Sequence, residues 1–77
     1  MTRKEKQFLL ELGFNLRQIR HEKGWSLEYA EEKGTPAWQY LQRIETGNHN
    51  TTILTLRKLA IVYKLPLRDL INCSLDL

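Results

Sequence analysis

Apolar residues recur along this chain at three- and four-residue steps, and no stretch alternates apolar and polar positions in the manner of a strand. Three- and four-residue spacing places side chains on one face of a helix, so the pattern predicts a protein built of helices. The first predicted helix runs from Arg3 to Glu22, with Phe8, Leu9, Leu12, Leu16 and Ile19 on a common face. Gly13 weakens that helix by up to about 1 kcal/mol relative to alanine, which points to another element packing closely there. Gly24 ends the helix in the usual left-handed position, with Lys23 before it to suit the negative end of the helix dipole.

Ser26 caps a second predicted helix that reaches Lys33, and Gly34 closes it. Thr35 is the expected cap of the third helix, with Pro36 at its first position, where a missing N–H costs nothing. This helix reaches Glu45 and stops at Gly47; a polar loop, Asn48-His49-Asn50-Thr51, follows. Thr52 caps a fourth helix, Ile53 to Tyr63, whose expected inward stripe is Ile53, Leu56, Leu59, Ala60 and Tyr63. Pro66 opens a fifth, short helix through Asn72. The expectation is an all-α, compact five-helix bundle, one domain over residues 1–72 with a short tail at 73–77. Its second and third helices, joined around Gly34-Thr35-Pro36, fit a helix-turn-helix unit.

A chain of 77 residues is enough for one domain and too short for two. No apolar run approaches the roughly 20 residues of a membrane span, and the start lacks the pattern of a secretory signal. A single cysteine, Cys73, excludes an internal disulfide framework and fits a reducing, cytoplasmic setting. His21, His49 and Cys73 have no ligand-like spacing, so no metal and no cofactor are expected. No nucleophile–base set, phosphate loop or paired carboxylates appear, and an enzyme is not expected. The net charge of +3 is unevenly spread. Residues 1–24 carry six basic and three acidic side chains, whereas residues 25–47 carry Lys33 and Arg43 against Glu28, Glu31, Glu32 and Glu45.

The order and spacing of several short motifs resemble the Cro/repressor type of helix-turn-helix DNA-binding domain, lambda-repressor-like in fold. They are Leu16-Arg17-x-x-Arg20-x-x-x-Gly24-Trp25-Ser26, Leu41-x-x-Ile44-Glu45-x-Gly47 and Asn50-x-Thr52-Ile53-x-Thr55-Leu56-x-x-Leu59-Ala60. Leu65-Pro66-Leu67-x-Asp69-Leu70-Ile71 closes the series. The length, the Asn-x-Thr segment and the long first helix are similar to the small controller proteins of restriction–modification systems.

The resemblance implies a homodimer that binds double-stranded DNA with its third helix in the major groove. With Leu41 and Ile44 inward, Trp38, Gln39, Gln42 and Arg43 become candidates for base contact. Glutamine can pair with adenine and arginine with guanine. The alternative for the glutamines is a solvated helix face, and for Trp38 a place in the core. Phosphate candidates are Ser26 and Asn48, with Arg17, Arg43, His49 and Asn50 behind them. Arg20 and Glu45 occupy the positions of a partly buried ion pair joining the first helix to the end of the third. For the dimer interface, the apolar surplus at Leu65, Leu67, Leu70, Ile71, Leu75 and Leu77 nominates the fourth and fifth helices, the alternative being that these leucines cap the monomer core.

Three departures from the family pattern matter. Leu27 stands where a phosphate-touching glutamine is usual. The second helix is one residue short and the following turn one residue long, while Gly24 to Glu45 keeps its usual spacing. The central segment is acidic. Leu27, the acidic centre and Trp38 support an alternative function, a protein-interaction module (adaptor or antitoxin) with weak or no specific DNA binding.

Overall fold

Thr2 starts the first helix of the computed structural model, which describes residues 1–72. Its hydroxyl oxygen accepts the Glu5 amide at 3.1 Å, and Glu5 Oε1 accepts the Thr2 amide at 2.7 Å. This reciprocal box satisfies two amides that no helical carbonyl can reach. The chain then passes through α1 (Arg3–Glu22), α2 (Leu27–Lys33), α3 (Trp38–Glu45), α4 (Ile53–Tyr63) and α5 (Leu67–Leu70), with no strand among the described residues. Expectations about Cys73, Leu75, Leu77 and the tail at 73–77 lie outside the described residues.

All five helices contribute to one core. Leu12 and Leu16 of α1 meet Ala30 of α2, Leu41 and Ile44 of α3, Leu56, Leu59, Ala60 and Tyr63 of α4, and Leu70 of α5. Trp25, between α1 and α2, closes the core on one side, its ring 5.6 Å from that of Tyr29 and 5.8 Å from that of Tyr63. Gly13 is buried where α1 crosses the end of α3; a Cβ there would lie 2.5 Å from the Glu45 carbonyl oxygen and 2.7 Å from its carbon. The glycine that weakens α1 locally is what lets the two backbones touch.

Two boundaries and one helix face differ from the sequence expectation. α3 begins at Trp38 with Ala37 as its cap, so Thr35 is not the cap and Pro36 is not the first helical residue. Gly34 takes up φ +118 and reverses the chain, and the Thr35 amide bonds back to the Ala30 carbonyl at 3.2 Å. The Thr35 side chain is thereby buried, and its hydroxyl donates to the Pro36 carbonyl at 3.0 Å instead of accepting from α3. α5 stops at Leu70, short of Asn72, where the Asn15 side-chain amide donates to the Asp69 and Leu70 carbonyls at 2.9 and 2.7 Å. On α4 the inward face starts at Leu56. Ile53, 61% exposed, lies outside that face.

Candidate nucleic-acid interface

Ser26 caps α2 by accepting the Tyr29 amide at 3.0 Å, which leaves its own hydroxyl proton free to donate outward. Leu27, next along, is half-buried and packs on the core. The leucine that departs from the family pattern is therefore a packing residue. α3 turns Leu41 and Ile44 inward, with Tyr40 packed beside them. Gln39, Gln42 and Arg43 are exposed, and Trp38 is half-buried at the start of the helix.

The two ends of α3 are held by charges from other helices. Ala37 has no side-chain acceptor to offer, and Glu31 of α2 supplies one, its Oε1 accepting the Trp38 amide at 2.9 Å. A carboxylate at a helix N-terminus also matches the positive end of the dipole. At the other end, Lys6 of α1 donates to the Gly47 carbonyl at 2.8 Å and to Asn48 Oδ1 at 3.2 Å. Asn48 Nδ2 donates to Thr46 Oγ1 at 3.0 Å, and that hydroxyl sits 3.0 and 3.2 Å from the Gln42 and Arg43 carbonyls.

Arg20 and Glu45 form a buried, two-point ion pair between α1 and α3. Arg20 Nε donates to Glu45 Oε2 at 2.8 Å and Nη2 to Oε1 at 2.9 Å, while Nη1 donates to the Trp25 carbonyl at 2.7 Å. The hydrogen bonds to Glu45 push the arginine's pKa up, against the opposing effect of burial. Paired bonds of this geometry fix direction as well as distance, so α3 is oriented on α1 by a rigid fork. Tyr63 lies in the same charge field. Burial, with a smaller contribution from the Glu45 charge, pushes its hydroxyl up to about 12, and its oxygen has no hydrogen-bond partner.

These contacts change the meaning of the acidic centre. Of its four glutamates, Glu45 is matched by Arg20 and Glu31 is engaged at the α3 N-terminus, facts that a count confined to residues 25–47 cannot contain.

The remaining candidates fall into separate places. Arg17 and Gln42 line one small cleft with Arg20, Leu27, Glu45 and Thr46, bringing α1, α2 and α3 together. Asn48 is exposed in the loop after α3, and His49 is half-buried with its ring edge-on to Tyr40 at 4.6 Å. Asn50, also exposed, lines a different cleft with Met1, Glu5, Phe8 and Leu9. Leu70, nominated for a dimer interface, is fully buried in the monomer core, and Leu65, Leu67 and Ile71 are half-buried against that core. The large apolar residues left in the open include Ile53, Leu54 and Ile61 of α4 and Phe14 of α1. Among the described residues, no helix is long and apolar enough to cross a membrane, and no cluster of metal-ligating side chains occurs.

Sequence reasoning missed Lys6 and Glu31. Both act across the fold, 41 and 7 residues from the backbone groups they hold, and neither spacing corresponds to a helical period.

Known proteins resemble this chain in sequence and fold. The sequence model of the helix-turn-helix family matches residues 16–70. The HTH-type transcriptional regulator y4dJ of Sinorhizobium fredii (strain NBRC 101917 / NGR234) is 39% identical over 49 residues, which are 64% of this chain and 64% of that relative's length. The crystal structure of the DNA-binding domain of BldD superposes with a TM-score of 0.78 at 32% identity, covering 91% of this chain and 97% of that one.

Proposed function

The chain belongs to the Cro/repressor-type helix-turn-helix family, and on that premise we propose that it is a sequence-specific DNA-binding transcription regulator, acting as a homodimer with α3 in the major groove. The observation that carries the reading is the outer face of α3. Gln39, Gln42 and Arg43 are exposed together on a helix whose inner face is locked by Leu41, Ile44 and the Arg20–Glu45 fork. Such a helix offers amide and guanidinium groups from a fixed backbone, the chemistry that distinguishes base edges. Trp38 stands at the leading end of the same helix, where an aromatic ring can meet a thymine methyl or the sugar–phosphate backbone. Ser26, Arg17, Arg43, Asn48, His49 and Asn50 are the groups for phosphate, setting register and supplying salt-dependent affinity.

The homodimer supplies the second half-site that one short helix cannot read. With Leu70 in the core, the pairing surface consists of the partly exposed Leu65, Leu67 and Ile71 together with the open α4 residues Ile53, Leu54 and Ile61. The protein-interaction alternative loses one of its three supports. The acidic centre is partly neutralised by Arg20, whereas Leu27, packed on the core, and Trp38 still stand in its favour.

Fluorescence anisotropy at about 150 mM salt tests the reading, using DNA from just upstream of the gene and a shuffled control. The regulator reading expects a preference of at least about 10³-fold. Gln39→Ala or Arg43→Ala should each lower specific affinity by about 1–3 kcal/mol, the worth of one bidentate base contact. Weak, equal binding to both fragments, repeated in a broader site selection, would shift the conclusion to the interaction module. Sedimentation showing only the 9.2 kDa chain where specific binding saturates would remove the dimer.

A further inference from the structure

We propose that Lys6 is a positioning residue, holding the loop between α3 and α4 in its DNA-binding shape without spending its own charge on phosphate. The inference rests on the DNA-binding reading and deepens it, because the loop carries Asn48, His49 and Asn50. Residues 48–50 have no regular secondary structure, so their path depends on individual contacts. Lys6 reaches across from α1 to bond both the Gly47 carbonyl and Asn48 Oδ1, at 2.8 and 3.2 Å. One turn later on the same face of α1, Leu10 forms the floor under Gly47; a Cβ on Gly47 would lie 2.8 Å from Leu10 Cδ2. One turn earlier, the Thr2–Glu5 box anchors the helix that presents the lysine.

The electrostatics agree with this role. The ammonium sits at the carbonyl end of α3, where a cation matches the helix dipole. Its bond to Asn48 Oδ1 also fixes which way the side-chain amide points. Asn48 Nδ2 then faces Thr46 Oγ1, with its second N–H available to a phosphate oxygen. An ammonium engaged in this way spends two of its three N–H donors on the loop, and in the proposed role it makes no direct bond to phosphate.

Salt dependence separates positioning from contact. In the full chain, Lys6→Met should weaken specific DNA binding by about tenfold, the effect of losing a hydrogen bond made by a charged group. The slope of log affinity against log salt should stay unchanged. A slope shallower by about 0.9 would mean that Lys6 neutralises a phosphate, and would overturn the proposal. Lys6→Arg keeps charge and donors and should recover most of the affinity; circular dichroism verifies that both variants fold.

Amide hydrogen exchange of the free protein supplies a readout that needs no DNA. Lys6→Met should speed exchange at the Asn48 amide, which bonds the Arg43 carbonyl at 2.9 Å, while core amides of α4 keep their rates. Unchanged exchange at Asn48 would overturn the clamp. A wild-type chain without sequence preference would overturn the DNA-binding reading, and the exchange result would still decide whether Lys6 orders the loop.

Discussion

Replacing Arg20 by Met should destabilise the domain severely, and replacing Glu45 by Leu at the same time should restore much of the loss. Arg20 makes three short bonds, two to Glu45 and one to the Trp25 carbonyl. Arg20→Met therefore strands a buried carboxylate, and Glu45→Leu strands a buried guanidinium; each should cost about 3–5 kcal/mol. A domain of 77 residues has a total stability of only about 4–12 kcal/mol, so either single variant approaches unfolding. In the double variant no charge is left behind, and two apolar side chains of similar volume fill the space. What remains is the Trp25 carbonyl without its donor, worth about 1–3 kcal/mol. Urea denaturation followed by far-ultraviolet circular dichroism measures all four proteins. The double variant should lose less than either single one. If its loss equals the sum of the singles within about 0.5 kcal/mol, the pair is not coupled and the description of a buried fork is wrong.

Three further outcomes follow from the packing and the caps. Gly13→Ala should destabilise by about 1–3 kcal/mol despite alanine's better helix propensity, because its Cβ would collide with the Glu45 backbone; a melting temperature at or above that of the wild type would refute the close crossing of α1 and α3. Tyr63→Phe should stabilise by about 1 kcal/mol, since the lost hydroxyl is buried with no partner, and a loss of stability on denaturation would show that the hydroxyl is bonded. Glu5 accepts the Thr2 backbone amide and, with the Thr2 side chain, completes the cap, which holds its carboxyl below the usual glutamate range. The stabilisation is thus present above the ordinary glutamate value and lost as pH falls through the lowered midpoint. A carboxyl NMR titration should show that midpoint rising in Thr2→Ala, and an unmoved midpoint would contradict the reciprocal box.

Helix boundaries were legible where a local signal dominates. Ser26 and Thr52 are good caps, and Gly24 and Gly34 stand just past helix ends in left-handed conformations, whereas the Thr2 cap of α1 emerged only from the structure. The Gly34-Thr35-Pro36 turn misled because its cap lies elsewhere in the chain. Thr35 and Pro36 have the chemistry of a helix start, yet Glu31 provides the acceptor and α3 begins at Trp38. The apolar pattern also nominated more surface than exists. Leu70 and Ile53 obey similar spacing, but one is fully buried and the other exposed, since spacing records which residues share a face and not whether a neighbour covers that face.

The order of helices, the helix-turn-helix unit and the identity of the side chains on the outer face of α3 follow from the sequence by itself. They depend on periodicity and on caps within a few residues, which the chain carries in local form. Tertiary structure decided the rest: that Gly13 admits the end of α3, that Glu31 and Lys6 hold its two ends, that Leu27 belongs to the core, and that the Arg20–Glu45 pair expected from the family pattern is a buried, two-point fork. Each of these joins groups on different elements. Their energy depends on distance and burial in the folded chain, quantities that have no counterpart in the spacing of residues along it.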